Sequence, residues 1–168
     1  MRNASGMLHA LELLPDETGD AAVRRDWQAL RDAGLPSQLD HTGASNAPHL
    51  TLVAAPDVQS ATDAASVVTE LLPVEVRASG LLLLGGRRVT IARAVDVPDA
   101  LVRAVVDLRA TVPDLPHQGW LPHLTLARRV ERADLQRAVD ILGHDDVVLS
   151  LTTLRRWNPD TRTVTVLA

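Results

Sequence analysis

The 168-residue sequence contains no cysteine, lysine, phenylalanine or tyrosine, and each absence removes a class of protein. Without cysteine there is neither a disulfide framework nor a thiolate metal site, which suits a reducing, cytoplasmic setting. Trp27, Trp120 and Trp157 are the whole complement of tryptophan, phenylalanine and tyrosine, too little material for a platform that stacks several bases. All 17 basic residues are arginine, against 21 acidic ones, for a formal charge of −4. No cationic stripe follows from this, of the sort that tracks a long nucleic-acid backbone. No apolar run reaches the roughly 20 residues needed to cross a bilayer. Residues 1–20 carry one arginine and then an apolar stretch broken by His9 and Glu12, which makes a poor secretion signal. A soluble, cytoplasmic chain with no membrane partner is expected.

The sequence does supply apolar residues, at 46%, ample for one buried core in a single domain over residues 1–168. It also supplies a repeat. Pro-His-Leu-Thr-Leu occurs at 48–52 and again at 122–126, so the two histidines lie 74 residues apart. The flanks repeat as well. An amphipathic helical stretch follows each copy, at 58–72 and 132–142, and leads into an apolar strand, at 74–84 and 147–154. Each strand reverses at a turn, Gly85-Gly86 or Asn158-Pro159-Asp160, and returns as 88–91 or 163–166. A helix precedes each copy: 20–33, with Val23, Trp27 and Leu30 at helical spacing, and 98–112, with Leu101, Val105 and Leu108. Residues 7–14 form an opening strand. The expected fold is α+β: two lobes from an internal duplication, related by a pseudo-twofold axis, each a small antiparallel sheet backed by helices, with a cleft between them.

Alternation along a strand puts His49 and Thr51 on one face and Leu50 and Leu52 on the other, and the same holds for His123 and Thr125 against Leu124 and Leu126. The leucines anchor the strand while imidazole and hydroxyl face outward. Packing alone would be served better by valine or isoleucine at the His and Thr positions. Two imidazoles and two hydroxyls in one cleft fit phosphodiester cleavage. One neutral imidazole takes a proton from the attacking oxygen, the other gives one to the departing oxygen, and the hydroxyls steady the non-bridging oxygens. The scheme needs no metal or other cofactor. A zinc site is the sharpest rival, but each His-x-Thr offers one good ligand and no further donor is spaced beside it.

Twofold His-Leu-Thr-Leu in separate halves of a chain this size resembles the 2H phosphoesterase superfamily, and within it the 2′-5′ RNA ligase branch. The resemblance covers essentially the whole chain. It implies a catalytic pair, His49 and His123, with Thr51 and Thr125 on the phosphate. Leu126-Ala127-Arg128 matches the continuation of the family's second motif and implies a phosphate contact for Arg128. It also implies a substrate, a small nucleotide or an RNA terminus bearing a 2′,3′-cyclic phosphate. The reaction it implies is hydrolysis of that phosphate, with 2′-5′ ligation at the same site as the rival; a protein that binds nucleotides or such RNA ends without turnover is the alternative from another class. A monomer is expected.

Trp120 either overhangs the cleft as a base contact or packs on its loop; the sequence leaves both open. His41 and His117 sit in polar loops and are expected in solvent, while His9 and His144 have no partner that the sequence reveals. Gly85-Gly86 reads as a tight hairpin with Arg87 and Arg88 on a solvated edge. Arg155 and Arg156 hold a similar place in the second half, and nothing selects which arginine of these pairs reaches the cleft.

Overall fold

The structure is a computed structural model and describes residues 7–115 and 118–168, so His117 lies outside the described residues. In chain order the elements are β1 (His9–Pro15), α1 (Glu17–Asp32), a 3₁₀ turn (Gln38–Asp40), β2 (Leu50–Ala55), α2 (Gln59–Asp63), α3 (Ser66–Thr69), β3 (Val74–Leu84) and β4 (Arg88–Asp96). There follow α4 (Asp99–Ala110), β5 (His123–Glu131), a second 3₁₀ turn (Arg132–Asp134), α5 (Leu135–Leu142), β6 (Val147–Asn158) and β7 (Thr163–Val166).

The strands form one antiparallel sheet in the order β2-β1-β6-β3-β4-β5, with β7 added beside β6. The two expected small sheets are thus the halves of a single sheet, joined where Val74–Ala78 of β3 pair with Val147–Leu151 of β6. The order reads alike from either end. β2 and β5, which follow or begin with the two histidines, are the outer strands; β1 and β4 come next; β6 and β3 meet at the centre.

One expected correspondence is corrected. Residues 88–91 and 163–166 are not counterparts. β4 lies between β3 and β5, the position that β1 holds between β6 and β2. The cause is the length of β6, which runs on to Asn158 instead of ending at 154. β1 occupies one edge of its distal half, from Leu151 to Trp157. The returning strand therefore folds onto the other edge, pairing Arg155–Asn158 with Thr163–Val166.

α1 begins at Asp16, whose carboxylate accepts the Gly19 amide at 2.8 Å, a strong N-cap. Its buried residues Val23, Trp27 and Leu30 repeat at helical spacing. Gly19 permits the close approach: an added Cβ there would stand 2.8 Å from Pro15 Cβ and 3.0 Å from Leu149 Cδ2. α4 starts after Pro98 and buries Leu101, Val105 and Leu108, as the periodicity requires. The stretch 58–72 is not one helix but two short ones. Ser66-Val67-Val68-Thr69 are weak helix formers, and Pro73 follows closely. The helices cross between halves. α1 packs against β5 and α5, whereas α4 packs against β2 and α3, so each long helix covers the outer strand of the opposite half. One continuous apolar cluster results, holding Trp27, Leu50 and Leu52 together with Leu108, Leu124 and Leu126.

Candidate active site

Both Pro-His-Leu-Thr-Leu segments lie at the sheet's outer edges, and residues of β2 and β5 come within 8 Å of one another (Cα–Cα) although they share no ladder. An outer strand has one row of carbonyls without a neighbour. Here the opposite half supplies donors. The indole N–H of Trp27, on α1, donates to the Thr125 carbonyl at 3.1 Å. The indole N–H of Trp120, just before β5, donates to the Thr51 carbonyl at 2.9 Å. Each threonine is thereby fastened to the other half of the molecule.

The strands share a second device. Leu11 pairs with Val53 and Glu12 with Thr51, so Leu52 is skipped. Ile91 pairs with Ala127 and Ala92 with Thr125, so Leu126 is skipped. Each bulge sits directly after the threonine and buries two successive residues, Leu52-Val53 and Leu126-Ala127, leaving His and Thr half-exposed on the other face. The carbonyl of Leu52, without a cross-strand partner, accepts from Arg109 at 3.0 Å. That guanidinium also holds the Gln118 and Gly119 carbonyls, and burial pulls it below its ordinary pKa.

The imidazoles are held alike. His49 Nδ1 lies 2.7 Å from the Ala47 carbonyl, and His123 Nδ1 lies 2.7 Å from the Leu121 carbonyl. A carbonyl only accepts, so Nδ1 carries a proton in both rings. Nε2 is left as the nitrogen that can take or give one.

The surroundings of the two rings differ. Glu12 Oε1 stands 3.5 Å from His49 Nε2, while Glu12 Oε2 accepts from Arg155 Nε at 2.8 Å; Glu12 and Arg155 are only 6% and 7% exposed. In register terms Thr51, Glu12 and Arg155 form one row across β2, β1 and β6. The matching row in the other half is Thr125, Ala92 and Leu82, which offers no charge.

A cavity of about 810 Å³ opens on this face. Its wall holds His49, Thr51, Glu12 and Arg155, with Arg128 and Arg129 reaching in from β5. The 3₁₀ turn and its surroundings supply Ser37, Gln38, Asp40, His41 and Asn46, and Trp157 closes another side. The Ser37 amide and Arg31 hold the Asp40 carboxyl below its usual range. Among the described residues no three His, Cys, Asp or Glu side chains gather as a metal set, and no helix is long and apolar enough to cross a membrane.

Of the expected site residues, the structure brings His49, Thr51 and Arg128 into one cavity wall. His123 and Thr125 stand earlier on the strand that carries Arg128 and are not part of that wall. Trp120 takes the packing arrangement of the two left open: its indole N–H donates to the Thr51 carbonyl and its ring packs against the core, while Trp157 stands in the cavity wall. His41 is exposed as expected, yet it lines the cavity. Arg155 is the arginine selected from its pair, since Arg156 turns to Gln59; Arg88 pairs with Glu131 on the surface. His9 meets Asp160 at 3.1 Å and His144 is exposed. Glu12, Arg129 and Trp157 were not singled out by the sequence, and Arg155 was left undecided within its pair. The missed signal was the continuation of β6 beyond Leu154, which puts Arg155 and Trp157 on one face by simple alternation.

Residues 18–163 match the family model described as the 2′-5′ RNA ligase superfamily. Three solved structures resemble the chain over nearly its full length. One described as a phosphoesterase is 16% identical, with a TM-score of 0.52, covering 97% of this chain and 96% of the other. The other two are of E. coli LigT. The apo form is 15% identical with a TM-score of 0.50, covering 96% and 95% of the two chains. The form complexed with 3′-AMP is 14% identical with a TM-score of 0.50, covering 97% and 96%. At such identities the likeness establishes the fold. No curated protein matches the chain.

Proposed function

The chain belongs to the 2′-5′ RNA ligase superfamily, and from that premise we propose that it is a metal-independent phosphodiesterase that opens a 2′,3′-cyclic phosphate on an RNA end or a small nucleotide. The observation that carries this is the matched pair of Nδ1–carbonyl contacts at Ala47 and Leu121. Both rings are fixed in one tautomer, each with Nε2 available for proton transfer.

In this reading one imidazole removes a proton from water as its oxygen attacks phosphorus. The bond from phosphorus to one ribose oxygen breaks, and the second imidazole, protonated, gives its proton to that oxygen. The rings end with their protonation exchanged and reset by exchange with solvent. Thr51 and Thr125 donate to the non-bridging oxygens, and Arg128 offers a guanidinium to the same phosphate. The 3′-AMP in the LigT complex supports a nucleotide as the ligand class. Ligation would use the same groups in the same roles, with a 5′-hydroxyl in place of water as the attacking oxygen.

The test is to incubate the protein, in chelator, with the four nucleoside 2′,3′-cyclic phosphates and with a short RNA carrying that terminus, with and without a 5′-hydroxyl strand. Hydrolysis with a bell-shaped pH–rate profile is expected. His49→Ala and His123→Ala should each lower the rate by roughly two to four orders of magnitude while the fold persists. Full activity in either single variant would end this reading, and joined product in place of hydrolysis would replace it with ligation.

A further inference from the structure

Arg129 is not explained by the scheme above. β5 departs from regular pairing twice. The departure at Leu126 has its counterpart at Leu52 in β2. A second, between the pairs Ile91–Ala127 and Val89–Val130, sets Arg128 and Arg129 against the single residue Thr90 and has no counterpart in β2. Within it Arg129 takes φ +61°, the left-handed region that an arginine rarely adopts. Strict alternation would send one of two successive side chains toward the core. The bulge instead leaves both exposed and both in the cavity wall.

The charge balance of that wall is one-sided. Glu12 is matched by Arg155 and Asp40 by Arg31. Neither the Arg128 nor the Arg129 side chain makes a hydrogen bond or ion pair with the described residues. A cyclic phosphate carries one negative charge, and Arg128 suffices for it. The cavity, about 810 Å³, lies in the upper part of the roughly 300–1,000 Å³ range of ligand sites.

We propose that Arg129 forms a second phosphate subsite, so that the ligand is a nucleotide bearing two phosphate groups about one ribose apart. This rests on the reading that the cleft receives a phosphorylated nucleotide end. Guanidinium is suited to the task because its planar fork meets two phosphate oxygens at once. The second phosphate can be the 3′-5′ linkage to a preceding nucleotide or a 5′-phosphate on the same nucleoside; the chemistry is shared, and the ligands below separate the sources.

The test measures dissociation constants of three uncleaved ligands: a nucleoside 3′-phosphate, the same nucleoside with 3′- and 5′-phosphates, and a dinucleotide ending in a 3′-phosphate. The intact protein is expected to bind one of the doubly phosphorylated ligands at least about tenfold more tightly than the first, and the one it favours identifies the source. Arg129→Gln should remove most of that preference, and Arg129→Lys should keep part of it. Arg129→Gly, which relieves the backbone, should lose it with the fold secure. Equal affinity for all three ligands, or a preference that survives in Arg129→Gln, overturns the proposal. Because binding is read without turnover, a protein that cleaves no cyclic phosphate still decides this question, and one that cleaves it can still fail here.

Discussion

Glu12 and Arg155 are nearly buried and bonded at 2.8 Å across β1 and β6, with the Ser45 carbonyl taking a second arginine donor at 3.0 Å. Removing one partner of such a pair strands the other charge, at a cost of about 3–5 kcal/mol, whereas replacing both by apolar groups is often close to neutral. Glu12→Met should therefore lower the unfolding free energy by about that amount, and Glu12→Met/Arg155→Met should recover most of the loss in denaturant titrations. Costs that simply add would refute the pairing. The Arg129 backbone provides the opposite sign. A non-glycine residue held at φ +61° carries roughly 1 kcal/mol or more of strain. Arg129→Gly should leave stability unchanged or raise it by up to about 1 kcal/mol, measured by the same titration. Neither effect was legible beforehand. Glu12 sat in an imperfectly alternating strand, and nothing in Ala127-Arg128-Arg129-Val130 announces a bulge, because irregular pairing depends on the strand opposite.

At the scale of elements, the outer strands depend on donors from elsewhere. Trp120→Phe keeps most of the ring volume but leaves the Thr51 carbonyl without its indole partner. Trp27→Phe does the same to Thr125. Each should cost about 1–3 kcal/mol by thermal or denaturant unfolding, and a loss no larger than that of a surface substitution would show the bond to be dispensable. The 3₁₀ turn that walls the cavity responds to pH. Asp40 accepts the Ser37 amide at 2.9 Å and pairs with Arg31 at 3.1 Å, so its pKa is lower folded than its ordinary value of 3.8. Its contribution is complete well above pH 3.8 and is lost as pH falls below 3.8 through the lowered folded value. The carboxylate is largely exposed, so the effect is local and modest. The protection factor of the Ser37 amide, which removes the intrinsic pH dependence of exchange, should fall a few-fold at low pH, and Asp40→Ala should show that lower protection already at neutral pH. The helices, hairpin and central strands near this site were readable from periodicity and from Gly85-Gly86. The break inside 58–72 was not, because its apolar spacing suits a helix while its residue types do not.

At the scale of the whole molecule, the halves are interlocked. α1 covers β5, α4 covers β2, and β3 joins β6 in one ladder over one core. A fragment of residues 1–86 would expose the surfaces that α4 and β6 cover. It should show little native circular dichroism alone, while the full chain unfolds in a single transition by both far-UV signal and tryptophan fluorescence. Two separated transitions would mean that the halves are autonomous.

The sequence alone determined the two histidine strands, their outward His and Thr faces, the long helices and the family resemblance, because each of these is a local pattern repeated at a fixed offset. Only the tertiary structure decided which strand sits beside which. That choice made β1 rather than β7 the counterpart of β4, turned Trp120 inward to Thr51, and set Glu12 beside His49 where the other half has Ala92. These outcomes depend on register between segments far apart in the chain. A one-residue slip there moves a side chain from core to cleft without changing the local sequence.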